Sequence, residues 1–181
     1  MKIFKTFGVL AALSLFPAAA QQEKAPAKAP AVKTVDGGAV EKKIIGKWAP
    51  DPEAVMKEIQ KDLADDPSTA LPLPLPLLQT MIRNMAVEVR KGEITIHAMG
   101  KQTATYRIIK VDKAANKLTL QITDDDGVQE GSATVEEKKD GRKTLTLEKD
   151  GEKFVLNSIT ASEFEKRRNA GAKPPRRPGL R

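Results

Sequence analysis

The sequence predicts an all-β fold, an antiparallel meander of about eight strands that closes into a barrel or half-barrel. From Ala86 onward, apolar residues alternate with polar ones at the period of a half-buried strand, in about seven successive runs. Turn sequences such as Asp140-Gly141 and Asp150-Gly151 separate these runs and favour tight hairpins. Short connections make neighbouring strands antiparallel, and closing such a sheet removes its exposed edges.

One strand and two helices are predicted before the meander. The β-branched residues that lead to Trp48 favour a first strand. Asp51 followed by proline is typical of a helix start, because the carboxylate caps free N–H groups and proline suits the first helical position. The alternating prolines of Leu71 to Leu78 predict an extended, polyproline-like segment, and the apolar residues from Leu77 to Met85 indicate a second short helix. The resulting helical insertion covers residues 51–86, between the first and second strands.

Two further details are predicted within and after the meander. The segment around Tyr106, Ile108, Ile109 and Val111 changes face midway, which indicates a bulge or a strand buried on both sides. Ser162-x-x-Glu165 has the spacing of a capping box and predicts a short C-terminal helix, which Phe164 would dock.

The first twenty residues have the three parts of an export signal. Lys2 and Lys5 supply a positive start, and the apolar run from Phe7 to Phe16 is too short to span a membrane, which takes about 20 helical residues. Small residues then precede the predicted cleavage after Ala20, and no later segment has the character of a transmembrane anchor. We expect an exported protein, periplasmic or secreted. The chain has no cysteine, so neither a lipidated cysteine nor a disulfide is possible.

Composition divides the rest of the chain into three parts. Residues 21–41 are rich in Ala, Pro and Lys and predict a disordered linker; residues 42–168 form the barrel domain; residues 169–181 are a basic, proline-rich tail. Although the net charge is +7, residues 41–165 contain 19 basic and 22 acidic residues, whereas residues 166–181 contain seven basic residues and no acidic one. This distribution argues against a nucleic-acid partner, which requires a basic face with stacking aromatics. The tail could contact an anionic envelope component through Arg176, Arg177 and Arg181, or remain solvated without a partner.

No catalytic or metal-binding set is evident. His97 is the only histidine and, without cysteines, cannot build a zinc site; a solvent-facing strand residue is the simpler interpretation. The run from Asp124 to Gly127 is similar to a calcium loop, but the acidic residues required at the positions of Ile122 and Ala133 are missing. We therefore expect no enzymatic activity and no cofactor.

The Gly46-x-Trp48 motif in the first strand, followed by helices and an antiparallel meander, resembles the lipocalin-like domains of small exported bacterial proteins. The resemblance covers residues 44–160. It implies a cup that binds a small apolar molecule, or an inhibitor or scaffold role.

These observations favour a non-catalytic binding module whose site is the barrel interior. The alternative is an envelope scaffold with a fully packed barrel, which binds a protein or an anionic polymer through its loops or its tail. The inward-facing, mostly aliphatic or aromatic residues predicted to line the interior are Trp48, Ile94, Ile96, Tyr106, Leu118, Leu120, Leu145, Leu147, Phe154 and Leu156.

Overall fold

The computed structural model describes residues 34–65, 73–98, 100–125, 127–149 and 152–171. The predicted signal peptide, with its cleavage after Ala20, and most of the predicted linker lie outside the described residues, as do Arg176, Arg177 and Arg181 of the tail. The Asp150-Gly151 turn also lies outside them.

Eight antiparallel strands form a closed barrel, which confirms the predicted fold class. Each strand pairs with the next along the chain, and the first closes on the last, with Trp48 opposite Ser158. The strands are β1 (Gly46–Pro50), β2 (Ala86–Arg90), β3 (Glu93–His97), β4 (Lys101–Asp112), β5 (Lys117–Asp124), β6 (Gly127–Glu137), β7 (Lys143–Lys149) and β8 (Glu152–Ser158).

Four helices accompany the barrel in the described part of the chain: α1 (Gly38–Ile44), α2 (Pro52–Asp65), α3 (Leu75–Asn84) and α4 (Ala161–Gly171). Helices α2 and α3 are inserted between β1 and β2, as predicted. They share a small apolar cluster that is separate from the barrel core, formed by Val55, Met56, Ile59, Leu78 and Ile82.

The two inserted helices begin differently from one another. Asp51 caps α2 as predicted, because its Oδ1 accepts hydrogen bonds from the N–H groups of Glu53 at 3.0 Å and Ala54 at 3.2 Å. The prediction of an extended segment through Leu78 was wrong, since α3 already begins at Leu75. Pro74 and Pro76 fall at the cap and in the first turn, where a helix needs no N–H from them.

Helix α4 follows β8 and is capped by a residue other than the predicted one. Thr160 Oγ1, and not Ser162, accepts the hydrogen bond from the N–H of Glu163, at 3.2 Å. The helix therefore starts at Ala161, one residue before the predicted cap. Phe164 is 1% exposed and docks the helix as predicted.

The folded body extends further toward the N-terminus than predicted. The assigned boundary at residue 42 falls inside α1, and before this helix the N–H of Val35 donates to the carbonyl of Ile108 at 2.8 Å. Val40 and Ile44 lie one helical turn apart and both pack into the barrel core. Only two apolar positions form this helical face, which is too short a pattern to stand out in a polar sequence.

Strand β4 contains the predicted bulge. The pairing of β4 with β5 shifts register between Ile108 and Lys110, so that Tyr106, Ile108 and Val111 all contribute to the interior. Four of the connections between strands contain a residue with positive φ, at Gly92, Asn116, Gly127 and Gly141.

Candidate functional site

The two ends of the barrel differ in what lies over them. At one end, α1 leads directly into β1, and the β2–β3, β4–β5 and β6–β7 turns lie at the same end. We call this the α1 end. At the other end lie the insertion between β1 and β2 and the β3–β4, β5–β6 and β7–β8 connections; we call this the mouth.

The α1 end is closed by apolar packing. Val40 and Ile44 are 4% and 1% exposed and join the interior cluster. The Trp48 indole is buried beneath them, and its Nε1–H donates to the carbonyl of Ile44 at 2.9 Å. Lys43 also ties α1 to the β4–β5 turn, because its Nζ donates to Asn116 Oδ1 at 2.7 Å. Helix α1 is therefore an integral part of the barrel's closed end.

A buried polar contact, between Tyr106 and Glu41 of α1, lies within this closed end. The Tyr106 hydroxyl lies 3.2 Å from Glu41 Oε1 and 3.0 Å from the carbonyl of Arg90, so it can donate to either oxygen. Burial raises the pKa of Tyr106 to about 12, and the nearby Glu41 adds to the increase. The phenol is held in its neutral, hydrogen-bonding form.

This contact predicts a loss of stability at alkaline pH. An unfolded tyrosine ionises near its ordinary pKa of 10.0, whereas the folded Tyr106 ionises near 12. The folded state therefore holds the proton more tightly, and the free energy of unfolding should fall as pH rises from about 10 to about 12. Tyr106 is the only tyrosine in the chain, so absorbance at the tyrosinate band follows this group alone.

The control for the alkaline titration is the same protein in concentrated denaturant, where ionisation should return to the ordinary range. Tyr106→Phe should remove this component of the alkaline loss of stability. Ionisation of Tyr106 at the same pH in the folded and unfolded protein would contradict the assigned burial and its contact with Glu41.

All ten predicted interior residues lie in the barrel core cluster. The structure buries seven of them fully; Ile96, Leu147 and Phe154 are only half-buried. Whether any of the ten contacts a ligand stays a prediction. Residues that were not predicted as lining also belong to the cluster: Val40, Ile44, Val87, Val89, Ile108, Ala133 and Val135.

Burial of the interior side chains decreases toward the mouth. Ile122 is half-buried like the three residues named above, and we call the four together the mouth ring: Ile96, Ile122, Leu147 and Phe154. Each lies within three residues of the strand end that faces the mouth. Of the five partly buried members of the core cluster, only Val111 lies near the α1 end. The apolar interior is thus sealed at the α1 end and partly accessible at the mouth.

Polar side chains continue the same inner face two residues beyond the mouth ring, at the ends of β5 and β7. Because side chains two residues apart in a strand share a face, Asp124 follows Ile122 and Lys149 follows Leu147 onto the inside. Lys149 Nζ lies 3.1 Å from Asp124 Oδ2, with the two side chains 35% and 24% exposed. Strands β5 and β7 are not neighbours, so this ion pair spans the intervening strand β6.

Gln129 lies on β6, directly opposite Ile122 of β5. Its Oε1 is buried and has no hydrogen-bond partner within the described residues. A buried acceptor without a partner is rare, because it loses its hydrogen bonds to water and gains none in return. Gln129 Oε1 is therefore an acceptor at the mouth that a hydrogen-bond donor would stabilise.

Two glycines flank Gln129 on the inner face of β6. A Cβ on Gly131 would lie 2.9 Å from Ile122 Cδ1 and 2.8 Å from the carbonyl oxygen of Glu148, so the bare backbone is needed there. A Cβ on Gly127 would meet no atom within 4 Å, which marks open space beside the mouth. The inner surface of β6 therefore carries no side chain at the positions on either side of Gln129.

Asp124, Gln129 and Lys149 together form what we call the polar layer of the mouth. Sequence reasoning missed this layer, although the signal was present. Asp124, Gln129 and Lys149 continue the inward parity of Ile122, Gly131 and Leu147. A search for alternating apolar residues stops at Ile122 and Leu147, so it does not detect the polar residues that follow on the same face. Gln102 of β4 lies opposite Ile96 of β3 and therefore also belongs to the inner face.

His97 faces outward, but it is not the solvent-facing residue that was predicted. Helix α4 covers it: the ring of Phe164 lies 5.5 Å away, edge to face, while Lys47 Nζ lies 4.7 Å from the centre of the same ring. Burial lowers the pKa of His97, and the positive charge of Arg168 lowers it further. His97 thus helps α4 pack on the outer face of the barrel.

A concave region lies outside the barrel beside α1. It is an open groove of about 410 Å³ between the segment before α1 and β4. Its lining includes the acidic residues Asp36 and Glu41 and the basic residues Lys91 and Arg107, so its charges are mixed. Within the described ranges, no three His, Asp or Glu side chains group in a way that would hold a metal ion.

Comparisons with protein-family models, with curated proteins and with solved structures found no match for this chain. The resemblance to lipocalin-like domains therefore stays a prediction. Across the part of the chain that the structure describes, no helix combines the length and the apolar character needed to cross a membrane.

Proposed function

We propose that this chain is an exported, non-catalytic binding module that holds one small, largely apolar ligand at the mouth of its barrel. The observation that carries the proposal is the uneven burial of the interior. The mouth ring leaves apolar surface partly accessible at the mouth, while the opposite end is sealed by α1. Ligand sites in barrels are concave, mostly apolar and located at the mouth, with a few polar groups that orient the ligand.

The filled half of the barrel limits the size of such a ligand. An eight-stranded barrel is just wide enough to be filled by side chains or to hold one small molecule. Trp48, Leu118 and Leu145 are at most 2% exposed and occupy the deeper interior. The ligand is therefore short and lies between the mouth ring and the rim, without reaching the α1 end.

A scaffold without a small ligand is the second candidate, and the same close packing favours it. In that case the barrel would be a rigid support, and binding of a protein or an anionic polymer would fall to the loops or to the tail that contains Arg176, Arg177 and Arg181. The two candidates differ in one measurable property, the uptake of an apolar probe by the barrel.

The test is the binding of a hydrophobic fluorescent dye to the mature protein. Phe154 points into the mouth and Val155, its neighbour on β8, points outward with 49% of its surface exposed. We expect Phe154→Lys to weaken dye binding at least about tenfold, since it places a charge among the apolar contacts. Val155→Lys should leave the affinity unchanged.

Both variants must keep the circular dichroism spectrum of the barrel for the comparison to count. Equal weakening by the two substitutions would place the dye outside the mouth and overturn the proposal. Failure of the native protein to bind any apolar probe would also overturn it and would favour the scaffold.

A further inference from the structure

The polar residues of the mouth bear on the head group that a bound ligand would carry. This inference rests on the proposed function and adds the chemical class of the molecule. Asp124 and Lys149 lie nearer the mouth than Ile122 and Leu147, and Gln129 lies level with Ile122, so a bound amphiphile places its chain against the mouth ring and its head beside these polar groups. The charge and hydrogen-bonding state of those three residues then decide which heads are accepted.

The ion pair disfavours a charged head of either sign. Lys149 is already matched by Asp124, 3.1 Å away, so the pair contributes no net charge to the mouth. A carboxylate that approaches Lys149 meets the negative charge of Asp124, and an ammonium group that approaches Asp124 meets the positive charge of Lys149. Either head would lose much of its hydration without gaining an unopposed partner.

Gln129 favours a head that can donate a hydrogen bond. Its buried Oε1 has no partner in the described part of the chain, and it lies on the strand that the ion pair spans. A ligand hydroxyl that donates to this oxygen would satisfy it, and the same hydroxyl would accept from the NH₂ group if the amide turned over. An alkane offers nothing to this site.

We propose that the mouth selects an uncharged amphiphile with a hydroxyl head, of the class of medium-chain alcohols and monoacylglycerols. The chain packs against the mouth ring, and the hydroxyl bonds to Gln129. The Asp124–Lys149 ion pair acts as the filter that excludes fatty acids and alkylamines.

The experiment compares three probes of equal chain length, 1-octanol, octanoate and octylammonium, as competitors of the hydrophobic dye at neutral pH. We expect octanol to bind at least about tenfold more tightly than either charged probe. Gln129→Leu should weaken octanol about tenfold while dye binding is retained, because the substitution removes one hydrogen bond and keeps the apolar surface. Glu130→Gln, which changes the exposed neighbour on the outer face of β6, is the matched control and should change nothing.

A second variant tests the filter. Asp124→Asn leaves Lys149 without its anionic partner from β5, and octanoate should then bind about tenfold more tightly than to the native protein. Native protein that prefers octanoate or octylammonium, or that binds the three probes equally, would overturn the inference while leaving the proposed function in place. Unchanged octanol binding in Gln129→Leu would overturn it as well. Absence of dye binding would instead overturn the proposed function, and the inference with it.

Discussion

Trp48→Ala should lower the free energy of unfolding by about 3–5 kcal/mol, the range for removal of a large buried aromatic side chain. Trp48 is 2% exposed, and it lies where β1 pairs with both β2 and β8. Its removal leaves a cavity beneath α1 and deprives the carbonyl of Ile44 of its 2.9 Å hydrogen bond. Urea unfolding followed by far-ultraviolet circular dichroism measures the change, since the variant lacks the only tryptophan.

Two variants make the Trp48 result specific. Trp48→Phe keeps most of the buried volume but loses the indole N–H, so it should cost about 1–3 kcal/mol, less than the alanine variant. Val155→Ala changes an exposed apolar residue and should shift stability by less than about 0.5 kcal/mol. If Trp48→Ala unfolded at the same urea concentration as Val155→Ala, the assignment of Trp48 to the barrel core would be wrong.

Phe164→Ala should detach α4 from the barrel and lower the free energy of unfolding by about 3 kcal/mol. Phe164 is 1% exposed and is the only residue of α4 that the structure buries. Without it, the helix keeps the Arg167–Glu163 ion pair and the contact of Arg167 with the Pro50 carbonyl at 3.4 Å, neither of which replaces a buried aromatic ring. Hydrogen exchange should therefore speed up across residues 161–171 while the strands stay protected.

Lys166→Ala is the matched control for α4, because Lys166 lies two residues further along the same helix and is exposed. It should leave the exchange rates of both the helix and the barrel nearly unchanged. Continued protection of α4 in Phe164→Ala would show that contacts other than this ring hold the helix.

The meander was predictable because its evidence is local. Apolar residues at every second position and Gly- or Asn-containing turns define each hairpin without reference to distant parts of the chain. The bulge in β4 was also visible, since Ile108 and Ile109 are adjacent apolar residues where strict alternation allows only one. Closure of the barrel follows from the number of strands together with the need to remove free edges.

The parts that were missed depend on contacts between distant residues. Helix α1 owes its position to Val40 and Ile44 packing against strands that lie far away in sequence, and Glu41 is buried because Tyr106 binds it. The cap of α4 was assigned to Ser162, two residues beyond Thr160, because both residues precede a glutamate at the same spacing. At the mouth, the pairing of Asp124 with Lys149 requires the strand order, which spacing along the chain does not reveal.

The pairing of β1 with β8 has a consequence for when the chain can fold. It joins Trp48 to Ser158, 110 residues apart, and the barrel cannot close until both strands are present. A polypeptide that emerges N-terminus first can form hairpins early, but it must wait for its last strand before the core under α1 is sealed. A chain that has not yet produced β8 therefore keeps an open sheet, with the outer edges of β1 and β7 unpaired.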